Sequence, residues 1–122
     1  MKMIWVTFRK AGLHRYPAAG TQGLEDVKYL AALHRHLFHF KVSIEVFHDD
    51  REIEFHQFLN FVESAVSTNG LDNKSCEMIA DDIALLVAEK YSAAIRQLRV
   101  EVSEDGECGV DALYGINHGK VH

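Results

Sequence analysis

The sequence predicts an α+β fold, in which two helices cover one face of an antiparallel sheet. Two stretches, 34–48 and 95–103, alternate between apolar and polar residues, as strands with one buried face do. Between them, residues 54–68 and 76–91 carry apolar residues at helical spacing. Shorter strand-like stretches near each end complete the predicted order β-β-α-α-β-β.

The first strand is predicted over residues 3–9, where Trp5, Val6, Thr7 and Phe8 are all residue types favoured in strands. Residues 11–23 contain the only proline, Pro17, together with several glycines. This composition predicts a loop or a loosely paired strand end. Residues 26–33 are ambiguous, and a short helical turn is one interpretation of them.

The second strand begins with two histidines, His34 and His36. Even positions from Phe38 to Val46 are apolar, whereas the odd positions are mainly polar. Because strand side chains alternate between faces, both histidines are expected on the face of that apolar row. Two imidazoles at this spacing can hold one metal ion, which then needs only one or two further ligands. The alternative is a solvated, polar strand start without a metal.

Two consecutive helices follow the charged turn at 49–51. The first is predicted over 54–68, with Asn69-Gly70 ending it. Ser75 is a suitable N-cap for the second, predicted over 76–91, and Glu77 lies in the first turn, where the helix dipole favours an anion. The predicted buried stripe of this helix consists of Cys76, Ile79, Ile83, Leu86 and Val87.

The final hairpin is predicted from an alternating strand at 95–103, a turn at Asp105-Gly106 and a returning strand at 108–114. Residues 1–114 then form one domain, and residues 115–122 a mobile C-terminal tail. Two helices cannot cover the edges of such a sheet, and exposed edges favour pairing with other copies. Closure of several subunits into an oligomeric β-barrel would remove these edges.

Composition narrows the function classes. With 122 residues and 48% apolar content, the chain can form one well-packed domain. A net charge of −5 and the absence of a basic patch argue against nucleic acid as a partner. No apolar run approaches the roughly 18–20 residues of a membrane span. The N-terminus does not resemble a signal peptide, and two cysteines far apart in sequence predict free thiols in a reducing cytoplasm.

Four short segments of the chain form a set of motifs: His14-Arg15-Tyr16-Pro17, Leu33-His34-Arg35-His36-Leu37-Phe38, Ile53-Glu54-Phe55 and Ser75-Cys76-Glu77. In their order and approximate spacing, they resemble motifs of the 6-pyruvoyl- and 6-carboxy-tetrahydropterin synthases, which share the tunnelling fold, or T-fold. The resemblance implies that residues 1–114 form a single T-fold domain, which assembles through its sheet into an oligomeric barrel.

The resemblance also implies a zinc site and a ring anchor. The zinc ligands of the family would correspond to His14, His34 and His36, and three protein ligands leave one position of a catalytic zinc open. The metal would polarise a substrate oxygen as a Lewis acid. Glu104 would accept two hydrogen bonds from the amide and amino edge of a pterin or purine-like ring. Its alternative role is that of a solvated residue in an acidic turn. Glu101 is the weaker candidate for the ring anchor, because it faces the opposite side.

The proton-transfer residues of the family are replaced in this chain. Its catalytic cysteine corresponds to Leu30, and its Asp-His pair corresponds to Asp72-Asn73. Neither leucine nor asparagine can act as a general acid or base. Asp72 is the retained candidate for a catalytic residue, and its alternative role is that of a turn or cap residue. Cys108 is too distant in sequence, and His39 is on the opposite face, so neither is an obvious substitute.

Three functions remain open. The favoured one is a binding module that holds a purine-, pterin- or nucleotide-derived molecule between subunits, with zinc but without lyase chemistry, and so sequesters a nucleotide signal. The alternative is an active zinc-dependent carbon–oxygen lyase with relocated proton donors, acting on a substrate like dihydroneopterin triphosphate. The third is a structural oligomer that binds no ligand.

Overall fold

A computed structural model describes residues 1–14, 19, 26, 27, 29, 32, 34–66, 71 and 73–122. The described part has the α+β class and the order of the first six elements that the sequence predicts. Neither helix in it is long and apolar enough to cross a membrane. The elements are β1 (Lys2–His14), β2 (His34–Val46), α1 (Phe55–Ala65), α2 (Cys76–Lys90), β3 (Arg96–Glu104), β4 (Cys108–Asn117) and β5 (Lys120–Val121).

The five strands form one antiparallel sheet in the order β1-β2-β3-β4-β5, so neighbours in the chain are neighbours in the sheet. The pairing of β1 with β2 runs from Lys2 opposite Val46 to His14 opposite His34. β3 pairs with β2 from Phe38 opposite Glu104 to Ile44 opposite Leu98. This register aligns the even-numbered positions of β1, β2 and β3 on one face of the sheet.

That even-numbered face is the core. In β2, Phe38, Phe40, Val42 and Ile44 are each at most 2% exposed, which confirms the alternation predicted from the sequence. The Phe40 ring stacks on the Phe8 ring of β1, with 4.6 Å between centroids. Aromatic stacking of this kind adds to the free energy gained by burying the rings. The end of the sheet that contains Phe38 is therefore tightly packed on its even-numbered face.

The helices lie on this face, but the buried side of α2 differs from the predicted stripe. Cys76, Ile79, Ile83 and Val87 are buried as predicted, whereas Leu86 is 39% exposed, so its inclusion was wrong. Alanines occupy the remaining buried positions, and their small side chains let the helix lie close to β3 and β4. These alanines are Ala80, Ala84 and Ala88.

Both helices begin at side-chain caps. The Glu54 carboxylate accepts a hydrogen bond from the Gln57 backbone N–H at 2.7 Å, and the Ser75 hydroxyl accepts one from Met78, which confirms Ser75 as the N-cap of α2. α1 ends at Ala65 because Val66 is extended and its side chain is buried, so the predicted end at residue 68 was wrong. The Asn69-Gly70 stop lies outside the described residues.

β1 is longer than predicted. It continues beyond residue 9 to His14, where β2 provides a partner along the whole length. Residues 11–14 of the stretch predicted as a loop or a loosely paired strand end are therefore strand, and most of the rest lies outside the described residues. In the ambiguous stretch at 26–33, Asp26, Val27 and Tyr29 have 3₁₀ geometry, in agreement with a short helical turn.

The C-terminal segment is part of the sheet, so the prediction of a mobile tail at 115–122 was wrong. β4 continues to Asn117, and Ile116 is 1% exposed beneath the helices. His118 and Gly119 have φ of 49° and 87°, and this left-handed pair turns the chain back into β5. Ile116 then pairs with Val121, which gives the segment backbone hydrogen bonds.

We expect Phe58→Ala to lower the free energy of unfolding by about 3–5 kcal/mol, because it leaves a large cavity between α1 and the sheet. Phe58 is fully buried, whereas Phe55, in the same helix, is 58% exposed. Phe55→Ala is the matched control and should change the free energy of unfolding by no more than about 0.5 kcal/mol. Chemical denaturation at one fixed protein concentration measures both. Equal effects of the two substitutions would contradict the described burial of α1.

Candidate functional site

The candidate site lies at the end of the sheet where β2 begins. Register places His14 of β1 directly opposite His34 of β2, and His36 lies two residues further along β2. Opposed positions in an antiparallel pair have Cβ atoms about 4.5–5.5 Å apart. The three predicted zinc ligands thus occupy neighbouring positions on the even-numbered face. The side chains of His14 and His34 lie outside the described part of the structure, so their convergence on a metal stays a prediction.

Glu104 reaches the same place from β3. It is the register partner of Phe38, and its Oε2 atom lies 3.7 Å from Nε2 of His36. The Glu104 and His36 side chains are 26% and 19% exposed, respectively, so both are partly desolvated, and the Nε2 atom of His36 is itself buried. The parity argument that placed Glu104 on the face of Val100 and Val102 therefore agrees with the observed geometry.

Asp105, in the β3–β4 turn, contacts both His36 and its neighbour Leu37. Its Oδ2 atom lies 2.6 Å from Nδ1 of His36, and its Oδ1 atom accepts a hydrogen bond from the Leu37 N–H at 2.8 Å. The Asp105 N–H in turn donates to the Leu37 carbonyl at 2.7 Å. The bond from Leu37, followed by that from His36, holds the pKa of the Asp105 carboxyl below its ordinary value.

The turn that presents Asp105 is the one predicted at Asp105-Gly106. Both residues have positive φ, 57° and 71°, as a type I′ hairpin turn requires. Aspartate is one of the few residues other than glycine that tolerates this conformation. Sequence reasoning treated Asp105 only as a turn residue. The signal that could have identified it is register, because Glu104 pairs with Phe38 and the next residue donates its N–H to the Leu37 carbonyl.

Two free thiols lie near Glu104. Cys76, the first residue of α2, is 7% exposed, which confirms it as a small core residue. Its burial, and then the negative charge of Glu104, raise the pKa of the Cys76 thiol to about 12. A thiol in this state is not a nucleophile at neutral pH. Cys108 is exposed and is the register partner of Glu104 on β4, which places it at the same end of the sheet as His36 although the two are far apart in sequence.

The other candidates divide between the opposite face and undescribed residues. His39 and Glu101 line an open groove of about 970 Å³ with Lys41, on the face away from the helices. This agrees with the opposite-face position that made His39 an unlikely substitute and Glu101 the weaker candidate. Asp72 and Leu30 lie outside the described residues, so the roles inferred for them are untested. Asn73, next to Asp72, has a φ of 63° and lies in a left-handed turn conformation.

The donor set fits zinc chemically, because imidazole nitrogen is a preferred zinc ligand and a carboxylate behind a ligating imidazole is its usual support. Among the described side chains, no group of three or more His, Cys, Asp or Glu residues is arranged to hold a metal ion. The predicted zinc site also includes His14 and His34, whose side chains lie outside the described part of the structure.

Neither a protein-family model nor a curated protein sequence matches this chain. The candidate functional residues lie at the end of the sheet where β2 begins. An imidazole, a half-buried carboxylate and an acidic turn lie together there, and they can bind a cation and a ligand with paired N–H donors.

At about pH 8, we expect iodoacetamide to alkylate Cys108 and to leave Cys76 unmodified, because alkylation requires an accessible thiolate. The raised pKa of Cys76 keeps its thiol protonated in the folded chain, whereas Cys108 is exposed. Peptide mapping by mass spectrometry locates the modification. Unfolding the protein in denaturant before labelling provides the control, since both cysteines should then react. Rapid labelling of Cys76 in the folded protein would contradict its described burial.

Proposed function

We propose that this chain is a T-fold protein, similar to the tetrahydropterin synthases, that binds a purine-, pterin- or nucleotide-derived molecule together with zinc and lacks the lyase chemistry of that family. The observation that supports the proposal most directly is the 3.7 Å approach of Glu104 to His36. A ring anchor and a zinc ligand are then neighbours, on the face where His14 and His34 are register partners. Sequestration of a nucleotide-like signal is the biological role that such binding would serve.

In this proposal, His14, His34 and His36 would hold the zinc and leave one coordination position for a ligand oxygen. When bound, the metal supplies Lewis acidity. The remaining work belongs to the residues of the chain. The Asp105 carboxylate already orients the His36 ring, with 2.6 Å between Oδ2 and Nδ1. This orientation reduces the reorganisation needed when a metal binds.

Glu104 would recognise the heterocycle. The two oxygens of an ionised carboxylate can accept two parallel N–H bonds, which matches the amide and amino edge of guanine or a pterin. At 26% exposed, the carboxylate is accessible to a ligand and is less hydrated than a surface glutamate. Hydrogen bonds to it are therefore stronger than they would be in bulk water.

Loss of turnover follows from the residues that replace the proton-transfer groups. Leu30 and Asn73 stand where the family has a cysteine and a histidine, and neither can exchange a proton at neutral pH. Cys76 does not compensate, since burial raises the pKa of its thiol to about 12. One observation favours the alternative of an active lyase: Cys108 lies opposite Glu104 and could provide a thiol beside the ring.

We also propose that the pocket is completed by a second subunit in a closed barrel. β1 is an edge strand of 13 residues, and within the described part of the chain it pairs only on the side facing β2. Long edge strands are prone to pair with another chain. On the sheet face away from the helices, Trp5 is 56% exposed and Leu113 is 68% exposed, and assembly would remove both from water.

His34→Ala should remove bound zinc from the purified protein, because two ligands hold the metal far less tightly than three. His39→Ala is the matched control, since His39 lies on the same strand but in the open groove. Elemental analysis gives the zinc content per chain. Sedimentation of the same samples at micromolar concentration should show an oligomer in both variants. Unchanged zinc in His34→Ala would refute the ligand assignment, and a single-chain species would refute the inter-subunit pocket.

Glu104→Gln should weaken binding of guanosine by about 10–100-fold, because one acceptor oxygen becomes a donor facing the ring N–H groups. Adenosine, which lacks that pair of donors, should bind weakly to both proteins. Glu101→Gln, a charge-matched change on the opposite face, should leave guanosine binding unchanged. Calorimetry measures the affinities. Incubation of the zinc-loaded protein with dihydroneopterin triphosphate completes the experiment, since turnover would establish the lyase alternative instead.

A further inference from the structure

Chemistry determines which atom donates the hydrogen bond between His36 and Asp105. An ionised carboxylate can only accept hydrogen bonds, so the 2.6 Å contact requires the proton to be on Nδ1 of His36. In a neutral imidazole only one nitrogen carries a proton, and Nε2 therefore carries the lone pair. We propose that Asp105 is a positioning residue that holds His36 in the Nδ1–H tautomer and so presents Nε2 to whatever this site binds.

Asp105 is itself fixed, which makes it an effective positioning residue. Its Oδ1 atom accepts from the Leu37 N–H and its Oδ2 atom accepts from His36, so each oxygen has a defined task. A backbone hydrogen bond from the Asp105 N–H to the Leu37 carbonyl also links the turn to β2. The orientation of the His36 imidazole is therefore coupled to the β3–β4 turn, because these hydrogen bonds restrict rotation of the Asp105 side chain.

The described contacts of His36 with Glu104 and Phe38 are compatible with this assignment. Nε2 is 3.7 Å from the nearest Glu104 oxygen, which exceeds hydrogen-bond length and does not require a proton on Nε2. The edge-on packing of the His36 ring against Phe38, with centroids 6.0 Å apart, limits rotation of the ring. Phe38 therefore contributes to the position of the ring, and Asp105 contributes to both its orientation and its tautomer.

The consequence for zinc rests on the proposed function. A metal binds only the unprotonated nitrogen of an imidazole, so the Nδ1–H tautomer is the one that can ligate through Nε2. Outer-sphere partners of this kind change metal affinity by about 10–100-fold when removed. Asp105 would therefore contribute to zinc binding without touching the metal.

Asp105→Asn tests the proposal with little disturbance of the fold. Asparagine also tolerates the φ of 57° found at this position. Its amide can still accept from Leu37, but its NH₂ group then faces His36 and cannot accept from Nδ1–H. Rotating the amide only moves the donor–donor conflict to Leu37. Glu107→Gln is the matched control, because Glu107 is an exposed acid in the same turn.

The first measurement is the tautomer, read from ¹⁵N chemical shifts of the His36 ring without metal at about pH 8.5, where an ordinary imidazole is neutral. We expect Nδ1–H in the native protein and in Glu107→Gln, and a shift towards Nε2–H in Asp105→Asn. Loss of the signal in His36→Ala assigns it. An Nε2–H tautomer in the native protein, or no change in Asp105→Asn, would overturn the proposal.

The second measurement is zinc affinity, by competition with a chromophoric chelator. Asp105→Asn should bind zinc about 10–100-fold more weakly than the native protein, and Glu107→Gln should bind it equally well. Native-like zinc affinity in Asp105→Asn would show that Asp105 has no role in metal binding. If no form of the protein binds zinc while the tautomer responds as expected, the positioning role stands and the proposed zinc site is wrong.

Discussion

The antiparallel register of β2 with β1 and β3 is the constraint on which both the core and the candidate site depend. It aligns the even positions of three strands on one face, so the row that buries Phe38 and Phe40 continues directly into His36 and Glu104. A slip of one residue would move every one of these side chains to the other face. The packing of the aromatic residues therefore also stabilises the position of the site, because the alternative register would expose them to water.

The parts of the fold that could be predicted are those whose apolar periodicity is strong. Alternation in β2 and helical spacing in α1 and α2 each determine an element together with its buried face. The C-terminal hairpin could not be found in this way, because β5 has only two residues and the turn depends on left-handed backbone at His118 and Gly119. The length of β1 could also not be predicted from its own residues. Residues beyond Arg9 are strand because β2 pairs with them, which is information carried by the partner rather than by the segment.

The candidate site shows the same distinction between local sequence patterns and contacts with distant segments. The shared face of His36 and Glu104 follows from counting residues along two strands, so the sequence alone was sufficient. The role of Asp105 required knowledge of which strand lies beside the turn, since Asp105 and Leu37 are 68 residues apart in the chain. Spacing patterns do not contain such a contact. The roles proposed for Asp72 and Leu30 stay predictions, because both residues lie outside the described ranges.

The position of Glu104 also bears on the choice between binding and turnover. A carboxylate that is to accept N–H donors from a ring must be ionised. Burial is the larger cause of the raised pKa of Cys76, and the negative charge of Glu104 adds to it, so a stable ring anchor disfavours a thiolate at the start of α2. A lyase at this end of the sheet would have to form its reactive thiolate elsewhere, at the exposed Cys108. The electrostatics around Glu104 therefore disfavour a thiolate at Cys76, which supports the proposed binding function over the lyase alternative.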